Sequence, residues 1–257
     1  MVKSATRTLR VLEFFSERQS PANVGEVSQA LALPQSSASS LLHSMQKSGY
    51  LSYDARSRSF MPTMRVAQLG SWLPSQMFGE VNPIEIIQHI HHKTGELVFL
   101  GLQNDMMIQY VHVVQSTHPI RFDAKPGWLR PILHCAVGRA LIAVRPDREI
   151  QGIVRRSNVE TDNPAFRIRP SAMMEILGEA RRRGYVQTEN LLTKGAAVIA
   201  VPLPHSAGQP HAAIGIGGPV ERIRSTRKEI LAALATAFGP IDAFALLKRH
   251  AASELGR

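Results

Sequence analysis

The stretch from Pro34 to Leu51, PQSSASSLLHSMQKSGYL, constrains this chain more than any other. Six serines (36, 37, 39, 40, 44 and 48) would ordinarily mark a linker, because the serine hydroxyl competes for nearby backbone groups. Yet Ala38, Leu41, Leu42 and Met45 recur at the i, i+3, i+4, i+7 spacing of one helical stripe. A helix with such a stripe lays it on a core, which turns the serine side outward. At about 100° per residue, Ser36, Ser40, His43 and Lys47 lie opposite the stripe, flanked by Ser37, Ser39 and Ser44.

The flanking sequence supplies the rest of a small domain. Residues 6–19 read as a first helix with Leu9, Leu12 and Phe15 inward and Arg7 and Arg10 outward. Ser20 to Asn23 form a turn, and Asn23 is a suitable N-cap for a short second helix over 24–32. Pro34 suits the first turn of the third helix, and Gly49 the position just past its end. LSYDARSRSFMP then reads as a hairpin about an Asp-Ala-Arg-Ser turn. Three helices and a hairpin in about 60 residues are the layout of a winged helix-turn-helix. Val27, Ser28, Leu31, Leu33, Ala38 and Leu41 have the spacing that packs its two central helices, with a small residue at the crossing. Ala32 stands at the turn, where glycine is common.

A helix laid in a major groove needs short side chains near its N-terminus and donors that reach phosphates or base edges; serine hydroxyls serve both needs. The residues assigned to double-stranded DNA are Arg7, Gln35, Ser36, Ser37, Ser39, Ser40, His43 and Lys47, with Arg56 and Arg58 on the wing. The competing reading is a solvated helix face in a winged helix that binds protein. The formal net charge of +10 favours a polyanionic partner, although residues 1–75 hold only eight Lys/Arg against four Asp/Glu.

Residues 63–80 resume a helical period and read as a linker helix between a DNA-binding domain over 1–62 and a second domain over 81–257. The second domain opens with a helix at 83–94, followed by strands ELVFLGLQ and MMIQYVHVVQ about an Asn104-Asp105 turn. A strand near 120–125, helices near 135–145, 147–156 and 170–183, strands AAVIAVPL and HAAIGIGG, and a long helix from 225 to 249 complete it. Hairpin-like strands with helices gathered around them predict an α+β fold with a mainly antiparallel sheet.

Other functions find little support. The opening residues lack the apolar core of a secretory signal and no run of ~18 apolar residues occurs, so a cytoplasmic location is expected. One cysteine, Cys135, excludes an internal disulfide. No GxGxxG, P-loop, HExxH or GxSxG stretch is present. His89 and His92 share a helix face but lack accompanying ligands and read as solvent-exposed; Cys135 beside His134 reads as a packed cysteine. No catalytic residue, metal or cofactor is assigned.

The N-terminal stretch resembles the IclR family of bacterial transcriptional regulators. LALPQSSASSLLHSMQKSGYL is similar to that family's second and third helices, and FMPTMRVAQLG to the wing exit and linker, with Pro62-Thr63 in place of Leu-Gly. RPILHCAVGRALIA, RRRGYVQTEN, GAAVIAVPLP and AAIGIGGPVERI follow in the order and spacing of its effector-binding domain. Ser40 stands where relatives often carry arginine, which implies a different operator sequence.

The resemblance implies a GAF-like effector domain, dimers that pair into tetramers, and effector contacts at His134, Ala136, Val137, Glu189, Val198, Gly215 and Gly217. Relatives that bind small polar acids often have cysteine at Val198 and serine at Gly215 and Gly217. Their replacement predicts a roomier, apolar pocket suited to a ring, with a carboxylate received at the start of the 135–145 helix; the alternative is that the glycines relieve crowding in the sheet. The expected function is a repressor of a catabolic operon that responds to a small organic acid. The alternative is a winged-helix protein whose second domain is a ligand-free oligomerisation or protein-interaction module.

Overall fold

A computed structural model describes residues 3–72, 76, 78, 81–204, 211–238, 244, 245 and 247. The chain divides into two compact units, Met1–Pro74 and Ser75–Arg257.

The first unit runs α1 (Lys3–Arg18), β1 (Ala22–Asn23), α2 (Val24–Leu31), α3 (Gln35–Lys47), β2 (Leu51–Asp54), β3 (Ser59–Pro62) and α4 (Met64–Gln68). Asn23 and Glu26 form a reciprocal capping box at the start of α2. Ala32 ends α2 in the left-handed region at φ 53°, a conformation that costs a residue with a Cβ ~1–2 kcal/mol. The turn is held by Ser28, whose Oγ donates to the Leu33 carbonyl at 2.7 Å. Gly49 takes the left-handed conformation just past α3. Strands β1, β3 and β2 form a three-stranded antiparallel sheet, one strand more than the sequence suggested.

Val11, Phe15, Val27, Leu42, Met45 and Phe60 fill the core of this unit. Leu9, expected inward, is 61% exposed, because Val11 and Phe15 form the buried row of α1. The helix expected over 63–80 is shorter within the described residues: α4 ends at Gln68 and turns follow to Trp72. The remainder of that expectation lies mostly outside the described residues.

The second unit contains α5 (Pro83–Thr94), β4 (Leu97–Asn104), β5 (Met107–Val114), β6 (Leu129–Pro131), α6 (Ala136–Ala143), α7 (Asp147–Glu160), α8 (Pro170–Arg183), β7 (Val186–Glu189), β8 (Ala196–Pro202), β9 (Ala212–Pro219), α9 (Val220–Ser225) and α10 (Arg227–Phe238). Its six strands pair antiparallel in the order β6-β5-β4-β9-β8-β7. Alternate residues serve opposite faces. Val98, Leu100, Ile199, Ile214 and Ile216 pack under α5 and α10. Leu97, Phe99, Ile108 and Tyr110 face α6, α7 and α8. The central strands β4 and β9 therefore read as near-continuous apolar runs.

One expectation for this unit is corrected, and two elements are added. Residues 121–125 form no strand; the edge strand is β6, where pairing of Met107 with Pro131 holds the chain. Residues 186–189, unassigned in the sequence, form the opposite edge strand β7. The short helix α9, also unassigned in the sequence, precedes α10, which begins at Arg227 beside the start expected at 225; the expected helix beyond residue 238 lies largely outside the described residues. The histidines of α5 also differ from expectation. His92 is exposed as expected, but His89 is half-buried, as is His91, whose Nδ1–H donates to the Glu96 carbonyl and closes the end of the helix.

Candidate functional sites

The first site is the outer face of α3. Ala38, Leu42 and Met45 are buried, and Gln35, Ser36, Ser40, His43 and Lys47 are exposed; Ser37 and Ser39 are half-buried at the margins. No acidic residue occurs in α3, so nothing on the helix itself repels a phosphate. Ser36, Ser37 and Ser40 share a groove with Ser4 and Arg7 of α1, which brings a guanidinium beside the serine end. His43 donates from Nδ1 to Gln46 Oε1 at 3.0 Å, which in the neutral ring leaves Nε2 as an acceptor. Its ring also meets the edges of Tyr53 and Phe60, coupling α3 to the hairpin.

The wing tip is built by Asp54. Its carboxylate accepts from Ser57 Oγ at 2.7 Å and from the Arg56 amide at 2.9 Å, and these bonds hold its pKa below the ordinary carboxylate value. That turn leaves Arg56 and Arg58 exposed. Where the hairpin ends, Thr63 caps α4 and its Oγ1 donates to the Gly49 carbonyl at 2.6 Å. Thr63 thus fastens the wing exit to the end of α3.

The second site is a partly enclosed cavity of about 240 Å³ in the C-terminal unit. Strand residues Leu97, Phe99, Tyr110 and Val198 line one side, with Gly217 among them. Phe99 and Tyr110 stack with ring centroids 4.3 Å apart. Phe122 and Trp128, from the segment between β5 and β6, and Leu191 and Leu192, beyond β7, line it further. Polar groups are few: Arg130, Asp123, His134, Thr188 and Thr193.

Burial shapes the chemistry of this cavity. It pushes the Cys135 thiol up to about 11, against the hydrogen bond it accepts from the Gly138 amide, so the sulfur is a neutral helix cap and not a nucleophile. Burial likewise raises the Tyr110 phenol above its usual value. His134 is held below its usual pKa by burial, although its hydrogen bond to the Phe166 carbonyl at 2.7 Å acts the other way. It is therefore mainly neutral at pH 7.

The residues expected from sequence divide into two sets. His134, Ala136, Val198 and Gly217 border the cavity. Val137, Glu189 and Gly215 lie outside its lining. Glu189 forms an ion pair with Arg224, which holds its carboxyl below the usual value. Gly215 pairs with Phe99 across the strands, and a Cβ there would stand 2.5 Å from the Phe99 ring and 3.0 Å from Val137. Its missing side chain is filled by that ring and adds no open space. A Cβ at Gly217 would have only ordinary contacts, from 3.5 Å. Sequence reasoning missed Arg130, Tyr110, Phe122 and Trp128. A signal existed in the cluster KPGWLRP, where an aromatic and a cation flank one strand position.

Comparison with known proteins joins the two sites. The IclR helix-turn-helix profile matches residues 4–55, and that of the bacterial transcriptional regulator IclR C-terminal domain matches residues 83–243. The transcriptional repressor IclR of Escherichia coli strain K12 is 27% identical over 230 residues, 88% of this chain and 83% of that protein. The acetate operon repressor of Salmonella typhimurium is 26% identical over 247 residues, 91% and 86% of the two chains. The crystal structure of Thermotoga maritima IclR superposes with a TM-score of 0.63 at 18% identity, covering 98% of this chain and 99% of that one. With both halves matched in order along nearly its full length, the chain belongs to the IclR family of bacterial transcriptional regulators, DNA-binding proteins rather than enzymes.

Proposed function

We propose that this regulator represses a catabolic operon and is released from, or fastened to, its operator by a small organic acid held in the C-terminal cavity. The observation that carries the ligand reading is the cavity itself. Its volume of about 240 Å³ lies a little below the ~300–1,000 Å³ usual for drug-sized ligands, which suits a small molecule, and Phe99, Tyr110, Phe122 and Trp128 give it aromatic walls. These walls favour one aromatic ring over a short aliphatic acid. Repression is supported by the relatives from E. coli and Salmonella, both repressors.

Operator contact is assigned to Arg7, Gln35, Ser36, Ser37, Ser39, Ser40, His43 and Lys47, with Arg56 and Arg58 on the wing. One short helix spans too few base pairs for specificity in a genome, so the working form is a two-fold dimer whose recognition helices lie one turn of DNA apart. Exposed apolar side chains on α1 and around α4 support this: Leu9 at 61%, Met64 at 74% and Trp72 at 54% suit a second copy better than water. Light scattering at micromolar concentration should give a dimer or a dimer of dimers; a monomer would overturn the assembly.

A switch requires the ligand to bind the DNA-competent and DNA-incompetent arrangements with affinities that differ by ~1–3 kcal/mol. The test is calorimetric titration with benzoates, phenylacetates, pyruvate and glyoxylate, each paired with an operator mobility shift. Binding of an aromatic acid that changes operator affinity is the expected result. Tight glyoxylate or pyruvate binding with no aromatic response would overturn the ring preference. Absence of both binding and response would leave the C-terminal unit as a ligand-free oligomerisation module.

A further inference from the structure

Arginines of the C-terminal unit repeatedly find carboxylates: Arg156 with Asp105, Arg181 with Asp147, Arg222 with Glu96, and Arg224 with Glu189. Arg130 borders the cavity, is only partly exposed, and forms no ion pair with any described carboxylate. The acid that shares the cavity lining, Asp123, pairs instead with Arg121 at 3.5 Å. Arg130 lies 4.6 Å over the Trp128 ring, and its positive charge acts on the nearby Tyr110 phenol against the larger effect of burial. A guanidinium stacked on an aromatic ring is held in direction, while its planar fork keeps donors to spare.

We propose that Arg130 is the anion anchor of this cavity and that it selects aromatic monocarboxylates. The inference rests on the cavity being the effector site and names the group that reads the ligand's charge. The carboxylate takes two donors of the Arg130 fork, the bidentate pairing that guanidinium and carboxylate geometry favours. The ring then lies among Phe99, Tyr110 and Trp128.

The cavity argues against a dianion such as a phosphate ester or a dicarboxylate. Among its described lining residues Arg130 is the one standing cation, since the neighbouring His134 is held neutral by burial, and Asp123 would repel a second negative charge. The helix start at Ala136 is a weaker anchor than expected from sequence. Cys135 Sγ already accepts from the Gly138 amide, the Arg139 amide is bound to the Cys135 carbonyl, and of the first two residues only Ala136 borders the cavity.

The test uses the full chain and matched ligand pairs: benzoate against benzamide, phenylacetate against phenylacetamide, and phthalate as the dianion. Wild-type protein should bind the better monocarboxylate about 10–100-fold more tightly than its neutral amide, as a hydrogen-bonded charge pair implies. Arg130→Met should erase that ratio while changing amide binding less than about threefold, and Arg130→Lys should retain part of it. Phthalate should bind more weakly than benzoate. Carboxylate preference surviving in a folded Arg130→Met protein would overturn the anchor while leaving the cavity reading intact. Absence of any preference for acid over amide in wild type would overturn it without need of a variant. If wild type bound no panel member, both the anchor and the cavity reading would fall.

Discussion

The two candidate sites of this regulator are built on opposite plans. The outer face of α3 is a local object: thirteen consecutive residues supply it, its outer side chains are exposed or half-buried, and its backing is one stripe on the same helix. The cavity is an assembled object, in which Phe99, Tyr110, Trp128, Thr188, Val198 and Gly217 come from separate segments and meet only because six strands pair in one order. The first can be changed residue by residue with little strain. The second is part of the core, so changing it alters stability as well as binding.

That contrast can be broken most sharply at two glycines. Gly215→Leu should destabilise the C-terminal unit by ~3 kcal/mol or more, because its Cβ alone meets the Phe99 ring at 2.5 Å. Gly217→Ala, two residues along the same strand, should stay within about 0.5 kcal/mol, since its neighbours lie at ordinary distances. Urea denaturation monitored by tryptophan fluorescence compares them, and equal midpoints would refute the packing assignment. On the recognition face, replacing Ser36, Ser37 and Ser40 together by alanine should cost about 2 kcal/mol of operator affinity, roughly 30-fold. Thermal stability should barely change; unchanged affinity in a mobility-shift assay would remove α3 from the groove.

Smaller effects sharpen the same comparison. Lys47→Ala or Arg56→Ala should weaken binding to all sequences by about 1 kcal/mol at low salt and reduce the slope of log K against log salt by about 1. A loss confined to the operator, with the slope intact, would make that residue a base reader. Ala32→Gly should stabilise the N-terminal unit by ~0.5 kcal/mol: relief of the left-handed strain is partly offset by the greater freedom glycine has when unfolded. A fall in the thermal midpoint would show that the Ala32 methyl contributes packing that outweighs the strain.

Legibility in the sequence followed the same division. The α3 face, the Asn23 cap, the Gly49 stop and the Pro83–Thr94 helix could be read because each depends on residues a few positions apart. Leu9 was misplaced because helical period alone cannot tell the row that Val11 and Phe15 bury from the neighbouring row left exposed. At the cavity, the family resemblance that pointed to Val198, Gly215 and Gly217 could not tell an open glycine from one roofed by a neighbour. Gly215 is of the second kind, and what distinguishes it is the cross-strand register that sets Phe99 opposite. Arg130 and Trp128 were missed for a similar reason, since their value depends on a cavity wall supplied by strands on either side of them in the sequence.

The pairing of β4 with β9 has a consequence for how the chain folds. These neighbours form the centre of the C-terminal sheet, with Leu97 set against Gly217, so the middle of that sheet waits for residues made more than a hundred positions later. The Glu96–Arg222 ion pair spans a similar separation. Loops of that length close slowly, because chain entropy is lost before the contact forms. In the N-terminal unit the two central helices and the hairpin are near neighbours in sequence, and the pairing of β1 with β3 joins Ala22 to Phe60. A pulse-labelling experiment on refolding protein should therefore show amides of α2 and α3 protected well before those of β4 and β9. During synthesis, the helix-turn-helix half can be native on the ribosome while the C-terminal half still lacks its central strand.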